Sequence, residues 1–225
     1  MYLRYLILGL CVCLITPVLY ADRDPYAPDS GTVILTSVPD VRQSTEYSSG
    51  ASALQTVLAY WGVDSREGSL MKELNSSPES GTRPGSILDV ASSRGLNAFI
   101  SENMSVDDLM SYTQNRIPVM VAAQAWDGYY DSDGTWVTKV PDNWEDTWEN
   151  GHYMVVIGAD TQNVYLEDPR LLGTRGVIPL REFISRWHDS EGGSGTSDPR
   201  TVHYHMGIII KGDEPARNPQ YSRVT

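Results

Sequence analysis

The sequence predicts an α+β fold, because its two halves carry different hydrophobic periods. From residue 43 to about residue 112, apolar residues recur at spacings of three and four, which is typical of helices with one buried face. From residue 117 onward they come in short runs rich in β-branched residues, which is typical of buried strands. Because the chain has 225 residues, it can form one domain with a substantial core.

The first 21 residues predict a secretory signal peptide. Arg4 precedes an apolar core, which is followed by Pro17 and the small residue Ala21. The uninterrupted apolar run of about 14 residues is short of the ~20 that a membrane-spanning helix needs, so an uncleaved anchor is the weaker alternative. We therefore expect a secreted or periplasmic protein. Its predicted parts are a signal peptide at 1–21, a leader segment at 22–31, one domain at 32–211 and a flexible tail at 212–225.

Charge and cysteine content exclude several classes of function. Cys11 and Cys13 are the only cysteines and lie in the predicted signal peptide, so the mature chain has no thiol, disulfide or cysteine metal site. The mature chain keeps 16 basic residues against 29 acidic ones, a net charge of −13. Such a chain repels nucleic acid and anionic membranes. We expect no nucleic-acid partner, no membrane partner after signal cleavage, no cofactor and no metal.

The first predicted elements are a short strand at residues 32–37 and a long helix inside residues 43–62. The apolar residues of that helix fall on one face: Ala53, Leu54, Val57, Leu58 and Trp61. Ser49 is a candidate N-cap, and Gly62 stands where a left-handed C-terminal cap is expected. Unpaired backbone N–H groups and the helix dipole at such a start favour an anionic nucleophile or a forming oxyanion. Taken alone, the stretch also fits an ordinary capped core helix.

Further elements follow from the same two patterns. Ser105 and Asp108 resemble a capping box that starts a helix reaching about Tyr112. Other helices are predicted at 66–74, 84–95 and 179–187, and strands at 117–123, 153–159, 164–167 and 206–211.

An acidic, aromatic segment at residues 127–150 separates the first two strands of the second half. It contains Trp136, Trp144 and Trp148 among seven carboxylates. Its DSDG string at residues 131–134 is a weak calcium signal, because the full twelve-residue pattern with its terminal Glu is absent. We predict a hairpin or lid over a cleft rather than a metal site.

His152 is a second candidate for chemistry, because it leads directly into a predicted strand. Asp168 follows sixteen positions later, directly after the next predicted strand. If the two strands form a hairpin closed by residues 160–162, His152 and Asp168 become diagonal neighbours on one face, roughly 7–8 Å apart at the backbone. A carboxylate there can fix the tautomer of the imidazole and stabilise its charged form.

These strings together resemble the double-glycine leader peptidases, cysteine peptidase family 39 of the papain-like superfamily. In that family a Gln stands six residues before the catalytic Cys, which opens a buried helix in a C-G-A-A/S-A-L-like string. Here Gln43 precedes Ser49, and the string reads S-G-A-S-A-L. The family's GH-aromatic string and DP pair are matched at His152 and Asp168. The resemblance runs from about residue 38 to residue 210 and includes QAW at 124–126 and RWHD at 186–189.

The resemblance implies a papain-like fold, with an N-terminal helical lobe packed on a C-terminal antiparallel sheet. It implies catalytic roles for Ser49, His152 and Asp168, and an oxyanion-site role for Gln43. Trp126, Trp148 and Tyr153 are then candidate contacts for a bound peptide.

The serine at position 49 departs from the family and limits the expected activity. A hydroxyl has a pKa far above the ~8.5 of a thiol, so it cannot form the thiolate–imidazolium pair of these enzymes. We therefore expect a monomeric domain that binds a peptide or protein segment and is inactive or weakly active. The alternative is an active hydrolase or acyl-transferase that uses Ser49 with His152 and Asp168. A structural domain with a relic of the site is a third interpretation.

Overall fold

The structure is a computed structural model that describes residues 24–191 and 200–216. The predicted signal peptide and residues 217–225 of the predicted tail lie outside the described residues. The helices are α1 (Ser49–Tyr60), α2 (Glu67–Glu73), α3 (Pro84–Ser93), α4 (Val106–Gln114) and α5 (Leu180–Arg186), with a 3₁₀ turn at Trp144–Asp146. The strands are β1 (Asn97–Ser101), β2 (Val119–Gln124), β3 (Gly128–Tyr130), β4 (Trp136–Thr138), β5 (Gly151–Ala159), β6 (Asn163–Glu167), β7 (Gly176–Pro179), β8 (His188–Glu191), β9 (Thr201–Tyr204) and β10 (Gly207–Lys211).

One six-stranded antiparallel sheet, in the order β1-β10-β2-β5-β6-β7, forms the centre of the fold. Two hairpins, β3–β4 and β8–β9, stand outside it as separate two-stranded sheets. Helices α1 to α3 pack on one face of the large sheet, and α4 and α5 pack on the other. Because both faces are covered, β2 is buried at every position, and its sequence is apolar from Val119 to Ala123 and ends in the buried Gln124.

Helix α1 is the central element of the first core layer. Its side chains Leu54, Val57 and Leu58 are fully buried against the sheet and the neighbouring helices. The helix ends as its sequence predicts, because Gly62 adopts a left-handed conformation with φ of 81°. The N–H of Val63 then donates to the Leu58 carbonyl at 2.9 Å, which closes the last turn. Because the helix is buried in the core, the position of its first residue, Ser49, is fixed.

The turn of the β5–β6 hairpin, by itself, would separate His152 from Asp168. Next to the turn Ala159 pairs with Val164, so a four-residue loop closes the hairpin instead of the predicted three-residue loop. If this pairing continued along both strands, His152 and Asp168 would lie on opposite faces of the sheet. A shift of one residue in register moves every side chain of a strand to the other face.

A β-bulge restores the geometry. The pairing shifts by one residue at Ile157, and beyond the shift Val155 pairs with Glu167. In this register His152 and Asp168 are diagonal neighbours on the same face of the sheet. The bulge therefore compensates for the longer turn.

The predicted α+β class with a helical lobe on an antiparallel sheet is confirmed. The strand predicted at residues 32–37 is wrong: this segment runs alongside β5 but makes one ladder-like bond, from Leu35 N–H to the Ile157 carbonyl at 2.8 Å. Strands β3 and β4 form a hairpin within residues 127–150, where the sequence predicts a hairpin or lid, whereas the short strands β1, β7, β8 and β9 were not predicted. Most are four residues or shorter, so they carry little periodic signal.

Both ends of the described chain are attached to the domain. Asp160 accepts a hydrogen bond from the Asp29 N–H at 2.9 Å, which ties the leader segment to the β5–β6 turn. Ala216 N–H donates to the Tyr60 carbonyl at 2.7 Å, which ties the start of the predicted tail to the end of α1. Across residues 24–191 and 200–216, no helix is long and apolar enough to cross a membrane.

The capping box of α4 provides a test of the fold. Ser105 Oγ accepts from the Asp108 N–H at 3.2 Å, and the Asp108 carboxylate accepts from the Ser105 N–H at 2.8 Å. We expect Ser105→Ala to lower the free energy of unfolding by about 1 kcal/mol in urea denaturation. The control is Ser111→Ala, which removes the same hydroxyl from an exposed position of the same helix and should change stability by less than about 0.5 kcal/mol. Equal losses of stability in the two variants would contradict the role of Ser105 as the N-cap of α4.

Candidate active site

His152 and Asp168 form a buried pair at one end of the sheet. The Nε2 atom of His152 lies 2.7 Å from Oδ1 of Asp168. The two residues are only 6% and 5% exposed. With an ionised carboxylate as acceptor, Nε2 must carry the proton, which leaves Nδ1 as the ring nitrogen that the carboxylate does not use.

Two further donors hold the carboxylate of Asp168. Its Oδ2 accepts from Trp126 Nε1–H at 2.9 Å, and its Oδ1 accepts from the Arg170 N–H at 2.9 Å. Burial alone would raise the pKa of Asp168. The charge of His152 and the hydrogen bonds from His152, Arg170 and Trp126 outweigh burial and hold that pKa below its usual value. Asp168 is therefore a charged, oriented partner for the imidazole.

Ser49 is the first residue of α1, and Ser48 occupies the N-cap position that the sequence analysis assigned to Ser49. Ser49 is 7% exposed. Its Oγ accepts from the Tyr153 N–H at 3.3 Å, which places the hydroxyl against the backbone next to His152. In the described part of the chain no hydrogen bond joins this hydroxyl to the imidazole of His152. The serine is thus adjacent to the His–Asp pair without being engaged by it.

The amide of Gln43, which the resemblance assigns to the oxyanion site, makes a local hydrogen bond, and its role at Ser49 stays a prediction. Its Nε2 donates to the Thr45 carbonyl at 2.7 Å, and its Oε1 is buried without a partner. The backbone fixes the segment elsewhere, because the Gln43 N–H donates to the Pro169 carbonyl at 2.8 Å. The residue is near the site, but its side chain serves the local turn.

A carboxylate from α2 supports the start of α1, and no pattern in the sequence indicated this role. Glu67 Oε1 accepts from the Ser44 N–H at 2.8 Å and from the Ser52 hydroxyl at 2.9 Å. Burial tends to raise the pKa of Glu67, but the hydrogen bonds from Ser44, Ser48 and Ser52 lower it below its usual value. Glu67 therefore fixes the turn before α1 relative to the helix itself.

A groove of about 300 Å³ opens in front of Ser49. Tyr153 forms part of its wall and is held there by a hydrogen bond from its hydroxyl to the Thr82 carbonyl at 3.0 Å. Gly50 allows the loop with Thr82 to approach α1, because a Cβ at Gly50 would overlap the Thr82 side chain. The carboxylates that line the groove are Glu46, Glu79, Glu149, Asp189 and Glu191.

A second cavity of about 320 Å³ has Asp168 among its lining residues. It is mainly apolar, with Met154, Leu166 and Val177 among its lining residues. Trp126 lines this cavity with a strained backbone, at φ of 60°. The groove at Ser49 is therefore polar, whereas the cavity that includes Asp168 is apolar.

The three predicted peptide contacts fall in three different environments. Tyr153 lines the groove at Ser49, whereas Trp126 lines the second cavity and binds Asp168. Trp148 lines neither: its ring packs against His188 at 4.3 Å and against Tyr204 at 5.8 Å between ring centroids. Of these residues, Tyr153 has the position that contact with a peptide at Ser49 requires.

The acidic segment between β2 and β5 forms a hairpin and borders the site at both ends. Strands β3 and β4 pair around a turn in which Asp131 Oδ1 accepts the N–H groups of Asp133 and Thr135 at 3.0 and 2.9 Å. Its first end follows Trp126, which contacts Asp168, and near its last end Glu149 lines the groove. The segment is positioned to contact a molecule bound there.

Asp189 is a groove residue that sequence reasoning did not identify as functional. It lies in the RWHD string, which carries part of the family resemblance. Burial raises its pKa to about 6, although hydrogen bonds from the Ser190 N–H and Gln124 and the charges of His203 and His152 act in the opposite direction. A residue whose pKa is shifted by its surroundings in a cleft is a candidate functional group.

Fold and site together define a papain-like peptidase domain, in which the first residue of a buried helix lies beside a His–Asp pair at the end of an antiparallel sheet. The model of the Peptidase_C39 like family matches residues 35–194, well over half of the chain. The chain belongs to this family.

Similar proteins agree with this assignment. An uncharacterised protein of Methanothermobacter thermautotrophicus is 34% identical over 158 residues, which cover 68% of this chain and 87% of that protein. A candidate C39-like peptidase of Bacillus anthracis has a TM-score of 0.55 at 17% identity, covering 81% of this chain and 98% of the other. The peptidase domain of Streptococcus ComA, a bifunctional ABC transporter of a quorum-sensing pathway, has a TM-score of 0.50 at 16% identity, with coverages of 76% and 95%. At these identities the two structures establish the fold alone.

The bond from Trp126 to Asp168 predicts a measurable coupling. Trp126→Phe keeps an aromatic side chain but removes the five-membered ring with its Nε1–H donor, so a buried carboxylate oxygen loses its partner. We expect the free energy of unfolding at neutral pH to fall by about 1–3 kcal/mol. In an Asp168→Asn background, which lacks the charge, the same substitution should cost much less. An equal loss in both backgrounds would assign the effect to ring packing.

The raised pKa of Asp189 predicts a pH-dependent gain in stability on substitution. The carboxyl group has a pKa of about 6 in the fold against 3.8 normally, so its ionisation disfavours folding above about pH 6 and has no effect below about pH 4. We expect Asp189→Asn to be about 1–3 kcal/mol more stable than the parent at pH 8 and equally stable near pH 3.5. The control is the exposed Asp213→Asn, which should show no such trend. An Asp189→Asn variant that is less stable than the parent at pH 8 would contradict the raised pKa of Asp189.

Proposed function

We propose that this C39-like domain binds an extended peptide segment in the groove at Ser49 and does not cleave it efficiently. The observation that carries the proposal is the His152–Asp168 pair, kept buried and hydrogen-bonded at 2.7 Å beside a serine at the position of the family's nucleophile. A family member that needed only its scaffold would have no use for an oriented imidazole next to the serine that lines the groove.

The chemistry of a hydroxyl supports weak hydrolysis. A thiol beside an imidazole and a helix N-terminus ionises before the reaction, whereas Ser49 must lose its proton during the attack. Two features of the site work against this transfer. The hydroxyl is not bonded to His152, and the Gln43 amide that would stabilise an oxyanion donates to Thr45 instead.

The second candidate function is hydrolysis or acyl transfer by Ser49. The observation that favours it is the same pair, because a serine mechanism also requires a His–Asp dyad with its second ring nitrogen available. Closing the distance between Ser49 and His152 on substrate binding would then complete the triad, since catalytic hydrogen bonds often tighten only in the complex.

The place of action follows from the predicted signal peptide. We propose that the mature chain acts outside the cytoplasm as a monomer, where the absence of cysteine leaves it no thiol to oxidise. Its partner there is a peptide or a protein segment, presented in extended form to fit a groove along the end of the sheet.

Restoring the sulfur tests the integrity of the site. In Ser49→Cys we expect a thiol pKa below ~8.5, measured as fast alkylation by iodoacetamide at pH 6, because the helix start and His152 stabilise the thiolate. The control is Ser80→Cys in the same groove, which is exposed, lies outside α1 and should titrate as an ordinary thiol. Adding His152→Ala to Ser49→Cys should return the pKa of the introduced thiol toward ~8.5.

Cleavage by the same variant tests the rest of the proposal. We expect Ser49→Cys to hydrolyse extended peptides at least about 100-fold faster than the parent, as seen by mass spectrometry. A fluorophosphonate probe distinguishes the second candidate, since labelling of the parent at Ser49 requires an activated hydroxyl. Labelling together with peptide hydrolysis by the parent would replace the binding proposal with the serine-hydrolase one. An ordinary thiol pKa in the variant would contradict an intact site.

A further inference from the structure

Asp189 occupies a position that is shaped by three strands of the fold. It lies on β8, and its carboxylate packs against the Cα of Gly151 at the start of β5, where a Cβ would overlap it. Only glycine permits this approach. Gln124, at the end of β2 and fully buried, directs its Nε2 toward Asp189 Oδ1 at 3.4 Å. The carboxylate is thereby fixed one residue away from His152.

One oxygen of this carboxylate is used within the protein, and the other is without a hydrogen bond among the described residues. Oδ1 accepts from the Ser190 N–H at 2.8 Å as well as from Gln124. Oδ2 accepts no hydrogen bond and Asp189 forms no ion pair within residues 24–191 and 200–216. A partly buried carboxylate with a free oxygen is unfavourable by itself, so a cation that enters the groove would satisfy it.

Carboxylates outnumber basic groups in the surrounding groove, where His203 is the basic side chain among the described lining residues. No lysine or arginine is among the described residues that line it. Its imidazole, His203, is already bonded to Glu102 at 2.6 Å and to Glu191 at 3.2 Å. Glu149 at the rim is exposed and adds negative charge at the entrance. The groove is thus suited to a positively charged group and opposes a negative one.

We propose that Asp189 is the specificity-determining residue of this groove and that it binds the ammonium of a lysine or the guanidinium of an arginine side chain in the peptide held at Ser49. This inference rests on the proposed peptide binding and adds to it the chemical class of the peptide. Asp189 receives the cation through Oδ2, while Gln124 and the Ser190 N–H keep Oδ1 in place. Glu149 contributes long-range attraction at the rim.

A matched peptide series tests the proposal. Nine-residue Gly/Ala peptides, N-acetylated and C-amidated, carry lysine, arginine, norleucine or glutamate at one position that is moved along the series. Dissociation constants are measured by calorimetry with the parent protein at low salt. At the best position we expect lysine or arginine to bind at least about tenfold more tightly than norleucine, and glutamate to bind most weakly.

The variant Asp189→Asn identifies the residue responsible. It keeps the shape and both hydrogen-bond donors, so we expect it to bind the norleucine peptide as the parent does and to lose the preference for lysine. The charge-matched control Asp213→Asn, on the exposed segment after β10, should keep that preference in full. Should Asp189→Asn not fold, the exposed Glu149→Gln replaces it, with an expected fall of about twofold in the lysine-to-norleucine ratio.

The outcomes separate this inference from the proposed function. Equal binding of the lysine and norleucine peptides by the parent, or a preference that survives in Asp189→Asn, overturns the inference and leaves peptide binding standing. A norleucine peptide with a free N-terminus that binds better than its acetylated form, with no preference for lysine, overturns the assignment to a side chain. Failure of every peptide to bind overturns the proposed function together with the inference.

Discussion

The hydrogen bond between His152 and Asp168 is the interaction on which the site depends. The two residues meet only because a bulge at Ile157 corrects the register set by the hairpin turn. Trp126 and the Arg170 N–H then hold the carboxylate, and burial removes water that would compete for it. Helix α1 brings its first residue to the same strand end from the other face of the sheet, so two core layers converge on a single imidazole.

Local patterns predicted the elements of the site, and non-local packing decided its details. Gly62, the capping box of α4 and the His–Asp spacing follow from local chemistry, which a sequence displays directly. His152 and Asp168 are diagonal neighbours, as the sequence predicts, but for a partly different reason. A longer turn and a bulge together replace the expected three-residue loop. The position of the Asp189 carboxylate depends on a contact with Gln124, more than fifty residues away in the sequence. The hydrogen bond of Gln43 depends on the rotamer of its side chain. Neither property produces a local hydrophobic period.

The structure combines features that are costly without a ligand. The His152–Asp168 pair is buried, a second carboxylate, Asp189, is partly buried in the groove at Ser49, and the backbone at Trp126 is strained. Buried charged groups and strained residues are concentrated at functional sites of proteins. The serine removes ground-state ionisation of the nucleophile but leaves the groove, its charge and the oriented imidazole unchanged. The function that we propose, binding without rapid turnover, would use all of these features.

The central claim is that this chain keeps a formed His–Asp pair beside a hydroxyl, and the ring tautomer of His152 tests it most directly. Nitrogen-15 NMR of the parent protein distinguishes the two neutral forms of the imidazole. We expect the Nε2–H form, with a Nε2 proton shifted downfield by its bond to Asp168 and lost in Asp168→Asn. An Nδ1–H imidazole, or a His152 spectrum that Asp168→Asn leaves unchanged, would contradict the account.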